Sequence, residues 1–87
     1  MAQVVENYAE VTGKVESIEP GDVPDHQSVR LYVDTVAPVP GFRNLMEHAA
    51  GHAITVQVPA AAAPQVGDSP VRLRVRVAGP NRYFAGT

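Results

Sequence analysis

The chain has 87 residues, a formal net charge of -2, eight prolines, seven glycines and no cysteine. That length makes one domain with a modest core and little room for a deep catalytic cleft, so an autonomous enzyme is not expected. Without cysteine there is no disulfide framework, no thiolate zinc site and no thiol redox chemistry.

The charges are segregated along the chain. Residues 1–25 hold Glu6, Glu10, Glu16, Glu19, Asp22 and Asp25 against Lys14, a balance of -5; residues 26–87 hold six Arg against Asp34, Glu47 and Asp68, a balance of +3. Six of the seven basic residues are Arg, whose planar guanidinium suits bidentate pairing with carboxylates or phosphates. No apolar run reaches the length of a membrane span, and Met1-Ala2-Gln3-Val4-Val5-Glu6 lacks the basic-then-apolar layout of a secretion signal. The expectation is a cytoplasmic protein without membrane contact.

From about Tyr8 to Ile18, Val11, Gly13 and Val15 alternate with Thr12, Lys14 and Glu16, which predicts a long first strand. Gly13 inside it predicts a bend or bulge. The stretch Glu19-Pro20-Gly21-Asp22-Val23-Pro24-Asp25 reads as a turn or loop. A second strand is expected from about Ser28 to Val36, with Val29, Leu31 and Val33 on one face and Arg30, Tyr32 and Asp34 on the other.

Ala37-Pro38-Val39-Pro40-Gly41 ends that strand, because proline cannot donate to a ladder and restricts the residue before it. A helix of about two turns is predicted next, with Asn44 as N-cap, Glu47 as the reciprocal half of a capping box and Gly51 as the left-handed stop. Ala53 to Val58 alternates again, with Ile54, Val56 and Val58 inward and Pro59 closing the strand. Ala60-Ala61-Ala62-Ala63-Pro64 is too short for a stable helix and reads as one helical turn or an extended loop.

After the turn Gly67-Asp68-Ser69-Pro70, residues 71–77 read Val-Arg-Leu-Arg-Val-Arg-Val, a strict period of two. That pattern is a half-buried strand with Val71, Leu73, Val75 and Val77 inward and Arg72, Arg74 and Arg76 outward. Gly79-Pro80-Asn81 is a further turn, and Tyr83-Phe84-Ala85 forms a final short strand or a packed tail. The expected fold is all-β with one short helix, a five-stranded OB-like small barrel spanning 1–87 as a single domain with a loop-helix insertion at about 37–51.

Three pieces of the chain, Gly13-Lys14-Val15-Glu16-Ser17-Ile18-Glu19, Ile54-Thr55-Val56-Gln57-Val58-Pro59, and Val66-Gly67-Asp68 followed by Val71-Arg72-Leu73, carry a resemblance. They resemble the TOBE family, small OB-like barrels appended to transporter ATPase subunits and also found in molybdate-binding proteins. The resemblance covers roughly residues 11–84 and implies an accessory or anion-binding module. No Gly-x-x-x-x-Gly-Lys-Ser/Thr loop is present, so the ATPase itself is excluded. The Ser-Ala-Arg-Asn opening of molybdate-binding members is replaced by Val5-Glu6-Asn7-Tyr8-Ala9-Glu10, and no ligand residue carries across.

The sharpest candidate surface is the arginine row. Arg72, Arg74 and Arg76 project about 7 Å apart along one sheet face, and with Arg30, Tyr32, Arg82 and Tyr83 they offer a basic, aromatic-dotted surface for single-stranded nucleic acid. Against this, Lys14 and Glu16 of the first strand are expected beside the row, where cross-strand Arg–Glu pairs neutralise it. The acidic composition also counts against a polyanionic partner.

His48 and His52 stand four apart, a spacing that on a helix could hold zinc with Glu47 or His26 as third ligand, but Gly51 is expected to end the helix between them and turn the rings apart. Glu16, Glu19, Asp22 and Asp25 fit no calcium loop and read as a solvated segment. Ser17, Ser28 and Ser69 lack the flanking glycines of a nucleophile elbow. Phe42, Leu45 and Met46 form an apolar cluster in the insertion that either caps the barrel or is exposed as a protein contact.

The sequence therefore reads as a non-catalytic binding or accessory module without cofactor or metal, whose partner is another protein or its own copy, with a homo-oligomer expected over a monomer because so small a domain commonly finishes its core that way. Arg30, Tyr32, Arg72, Arg74 and Arg76 would carry the polar part of recognition, and Phe42, Leu45 and Met46 the apolar part. Single-stranded nucleic acid through the same arginines, and a TOBE-like small-anion or metal function, are the alternatives.

Overall fold

The computed structural model describes residues 6–85; the leader expectation at residues 1–5 lies outside them. Five strands form: β1 (Ala9–Pro20), β2 (His26–Pro38), β3 (Ala53–Pro59), β4 (Val71–Gly79) and β5 (Arg82–Ala85). They close into a barrel in the order β1-β2-β3-β5-β4. Every pairing is antiparallel except β3 with β5, which is parallel. Five strands closed in this order make a small all-β barrel of OB-like form. Among the described residues no helix is long and apolar enough to cross a membrane.

The period-two pattern is what fills the barrel. Val11 and Val15 of β1, Val29, Leu31 and Val33 of β2, Ile54, Val56 and Val58 of β3, Val75 of β4 and Tyr83 of β5 point inward and are buried together. Arg72, Arg74 and Arg76 alternate outward along β4, as the sequence predicts. The interior is mostly valine, whose branched Cβ packs well on a pleated surface at this small barrel radius.

Gly13 sits where β1 must serve two neighbours. The β1–β2 register shifts between Thr12 and Gly13, and the β1–β4 pairing runs from Ala9–Val75 to Gly13–Val71 and stops there. A Cβ at Gly13 would run into the backbone carbonyl of Tyr32. The predicted bend is therefore a close backbone approach that only glycine permits. Beyond it, Val15 hydrogen-bonds through its N–H to the Asp68 carbonyl and through its carbonyl to the Gly67 N–H, so the loop before β4 takes over from the strand.

The expected helix over 44–51 is replaced by a single 3-10 turn, Glu47–Ala49. Asn44 Oδ1 accepts from the Met46 N–H at 2.9 Å, closing a local side-chain turn instead of a capping box with Glu47. Gly51, with φ of +82°, ends the turn as predicted, and its N–H donates to the Val33 carbonyl at 2.8 Å. Val33 in turn donates to the His52 carbonyl at 2.9 Å. Docking of this backbone onto β2 satisfies groups that a helix would have to satisfy internally, and so short a segment gains too few helical bonds to offset nucleation. A second 3-10 turn, Ala60–Ala62, occupies the alanine run.

One buried polar group closes the structure at a distance the sequence pattern does not show. Asn7, just before β1, accepts from the Val77 N–H through Oδ1 at 2.8 Å and donates from Nδ2 to the Val77 carbonyl at 3.0 Å. Its amide reproduces the two bonds of a missing strand partner at the irregular end of β4, where the register with β5 shifts.

The Gly13 contact makes a direct prediction. Gly13→Ala should destabilise the fold by about 1–3 kcal/mol, because backbone must move to admit one methyl group. A urea midpoint equal to that of the parent protein would show that the bend is not required for closure.

Candidate functional site

The outward side chains divide into paired and unpaired charges. Arg30 Nε lies 3.1 Å from Glu16 Oε1, joining β2 to β1 across the bulged register. Arg72 Nε lies 3.2 Å from Glu10 Oε1, joining β4 to β1. The neutralising carboxylate of the arginine row is thus Glu10 and not the expected Glu16, because β1 turns away from β4 after Gly13. Both bridges are solvent-exposed and contribute at most about 1 kcal/mol each.

Arg76 and Arg82 are held differently. Arg76 on β4 faces Phe84 on β5 as a cross-strand pair, and its guanidinium carbon lies 5.2 Å from the Phe84 ring centroid. Arg82, two residues before Phe84 on the same strand face, places its guanidinium carbon 5.8 Å from that centroid. Attraction to the ring quadrupole at exposed positions is worth about 0.5–1 kcal/mol for each contact. Among the described residues the ion pairs are Arg30–Glu16 and Arg72–Glu10; Arg74 stands opposite Glu10 across β1–β4 without bridging to it, and Arg76 and Arg82 form no ion pair.

Phe84 also forms one side of a shallow groove of about 200 Å³. Asp22 and Val23 of the β1–β2 loop form a second side, Thr55 and Gln57 of β3 lie along it, and Asn81 with Arg82 closes it at the β4–β5 turn. The loop is pinned by Gln57, which belongs to the outward phase of β3 yet is buried beneath it. Gln57 Oε1 accepts from the Asp22 N–H at 3.1 Å, and its Nε2 donates to Ser28 Oγ at 2.8 Å. His26, at the start of β2, stands edge-on to Phe84 with ring centroids 6.5 Å apart, and its Nδ1 lies 3.0 Å from the Pro24 carbonyl.

The residues expected to act together from sequence are dispersed. Arg30 stands beside Thr55 across the β2–β3 pair, next to the groove, but its guanidinium is committed to Glu16. Tyr32 is exposed and lies opposite Lys14 of β1, away from Phe84. Arg72 is bound to Glu10, whereas Arg74 and Arg76 continue the row toward the β4–β5 turn. In the insertion Met46 is fully buried in the core, so its side chain offers no surface. Phe42 packs edge-on against Tyr8 with centroids 4.9 Å apart, leaving Phe42 and Leu45 partly exposed. His48 Nε2 lies 3.2 Å from the Tyr83 hydroxyl, and no group of three or more His, Asp or Glu placed to hold a metal occurs among the described residues.

Gln57 was not singled out by the sequence reading, Phe84 entered it only as part of the final short strand or packed tail, and His26 only as a possible zinc ligand. The period of two running through Arg82-Tyr83-Phe84 carried a usable signal: with Tyr83 buried, Arg82 and Phe84 must share the outer face. Nothing in the sequence pattern marks Gln57 as the buried anchor of a loop more than thirty positions earlier in the chain.

No protein-family model matches the chain, and neither a curated protein nor a solved structure matches it.

Gln57→Ala removes the bond to the Asp22 N–H and the bond to Ser28 Oγ and should cost about 1–3 kcal/mol, from two part-buried hydrogen bonds. It should also raise amide exchange at Asp22 selectively, with Val29 and Val56 in the core unchanged. Equal protection of Asp22 in both proteins would mean that strand pairing alone holds the loop.

Proposed function

We propose that this barrel is a non-catalytic binding module that docks an acidic protein segment across the β5–β4 face, with Phe84 at the centre of the contact. The observation that carries this reading is the Phe84 ring flanked by Arg76 and Arg82, neither in an ion pair among the described residues, beside the groove lined by Asp22 and Arg82. An aromatic side chain flanked by arginine is the composition of an interface hot spot. The groove, at about 200 Å³, is smaller than the cavities of about 300–1,000 Å³ that hold small-molecule ligands, and suits one inserted side chain of a partner.

The resemblance to TOBE-type accessory barrels agrees with a module that works by contact instead of chemistry. The insertion takes a smaller part than its composition suggests, because Met46 is used in the core and Phe42 on Tyr8. What it adds to recognition is Leu45 and the exposed part of Phe42.

Single-stranded nucleic acid is the second reading, favoured by the run of Arg74, Arg76 and Arg82 around an aromatic ring. What weighs against it is the position of Tyr32 away from Phe84, which leaves no row of stacking platforms, and the net charge of -2, which opposes a polyanion more strongly than a short acidic segment of a protein.

The two readings separate in one titration. A fluorescent peptide of alternating Glu and Leu should bind the parent protein, and Arg76→Gln with Arg82→Gln should weaken it about tenfold or more, the loss of at least ~1.4 kcal/mol. Binding of labelled oligothymidine with a steep salt dependence, and none of the peptide, would replace this reading with the nucleic-acid one. Failure of both probes would remove the β5–β4 face as a recognition surface.

A further inference from the structure

The groove brings opposite charges to one patch, and they are not paired with each other. Asp22 and Arg82 both line it, yet no ion pair joins them. Glu19 and Asp25, exposed on the same β1–β2 hairpin as Asp22, likewise have no cationic partner among the described residues. Two guanidiniums meanwhile stand against one ring without an ion pair, so an anion brought to that ring meets both. The hairpin tip is a fixed element: the Asp22 N–H is held by Gln57, and the Asp25 carbonyl accepts from the Ala60 N–H at 2.8 Å.

A patch that presents a fixed acidic tip beside an unsatisfied basic cluster is complementary to itself under a two-fold rotation. In an isologous contact each copy meets the other through the same surface, so the tip of one copy faces the basic cluster of the other, and the reverse. We propose that the acidic segment recognised by this face is the β1–β2 hairpin of a second copy, with Asp22 of the partner subunit completing the Arg76–Phe84–Arg82 site. This rests on the protein-binding reading and narrows it to one partner. It also gives the charge segregation of the sequence a use: residues 1–25 supply the acidic half of the contact and β4 with β5 the basic half.

The contact has a defined character. Val23 and Phe84 are its apolar groups at the groove, so burial is modest and electrostatics dominate, as in weak interfaces of low area. Association must then depend on salt, because the Debye length falls from about 10 Å at 0.1 M to about 3 Å at 1 M ionic strength.

Light scattering across concentration and salt, combined with charge exchange, tests this. At low salt the mass should rise with concentration from 9.2 kDa toward twice that value, and high salt should return it to the single-chain mass. The variant Arg76→Glu with Arg82→Glu, acidic on both halves of the patch, should be monomeric. The variant Glu19→Lys with Asp22→Lys, basic on both halves, should be monomeric as well. An equimolar mixture of the two should associate again, which also shows that both variants are folded. A parent protein that stays monomeric at low salt, a dimer indifferent to salt, or a mixture that fails to associate would overturn the proposal. The peptide titration is read in parallel: a monomer that still binds the Glu–Leu peptide through Arg76 and Arg82 removes the second copy as partner and leaves the protein-binding reading standing.

Discussion

Strand β1 hydrogen-bonds to two neighbours, and the barrel closes only because the strand turns at Gly13 between them. Its first residues, Ala9 to Gly13, pair with β4 on one side and with the end of β2 on the other; its later residues stay with β2 and leave β4. The close approach of Gly13 to the Tyr32 carbonyl is the price of that change of direction. A straight strand would carry β1 past β4 and leave open edges, which a sheet this small and this apolar would present to other chains.

The same bend decides which charges meet. It brings Glu10 to Arg72, directs Glu16 to Arg30, and places no carboxylate of β1 beside the far end of β4. Arg76 therefore turns to β5, where Phe84 is its cross-strand partner and Arg82 joins from the same face. Surface electrostatics here follow from the backbone path: one strand distributes its acids to two neighbours and runs out before the third. The groove beside Phe84 is held by a different device, the buried amide of Gln57, which ties the acidic hairpin to β3.

Much of the architecture was legible because valine and arginine alternate so strictly. The faces of β2, β3 and β4 follow directly from that period, and Gly13 announced its bend. The helix after Asn44 was misjudged because the residues satisfy a local rule, whereas β2 offers the backbone of Gly51 and His52 better partners in the folded state. The site was legible only in part. Arg76 was visible as an outward residue, but its separation from Arg30, Tyr32 and Arg72 depends on which carboxylates lie nearby, a property of register that a single strand pattern does not contain. Met46 shows the converse: an apolar residue in a surface insertion reads equally well as contact or as core, and here the core holds it.

The central claim is that recognition is localised on the β5–β4 face around Phe84. Amide chemical shifts of the isotope-labelled protein, followed through a titration with the Glu–Leu peptide, test it most directly. The account predicts that the largest changes fall on Asp22, Val23, Thr55, Arg76, Arg82 and Phe84. Changes centred on Phe42 and Leu45, or on Arg30 and Tyr32, would place recognition elsewhere on the barrel and contradict it.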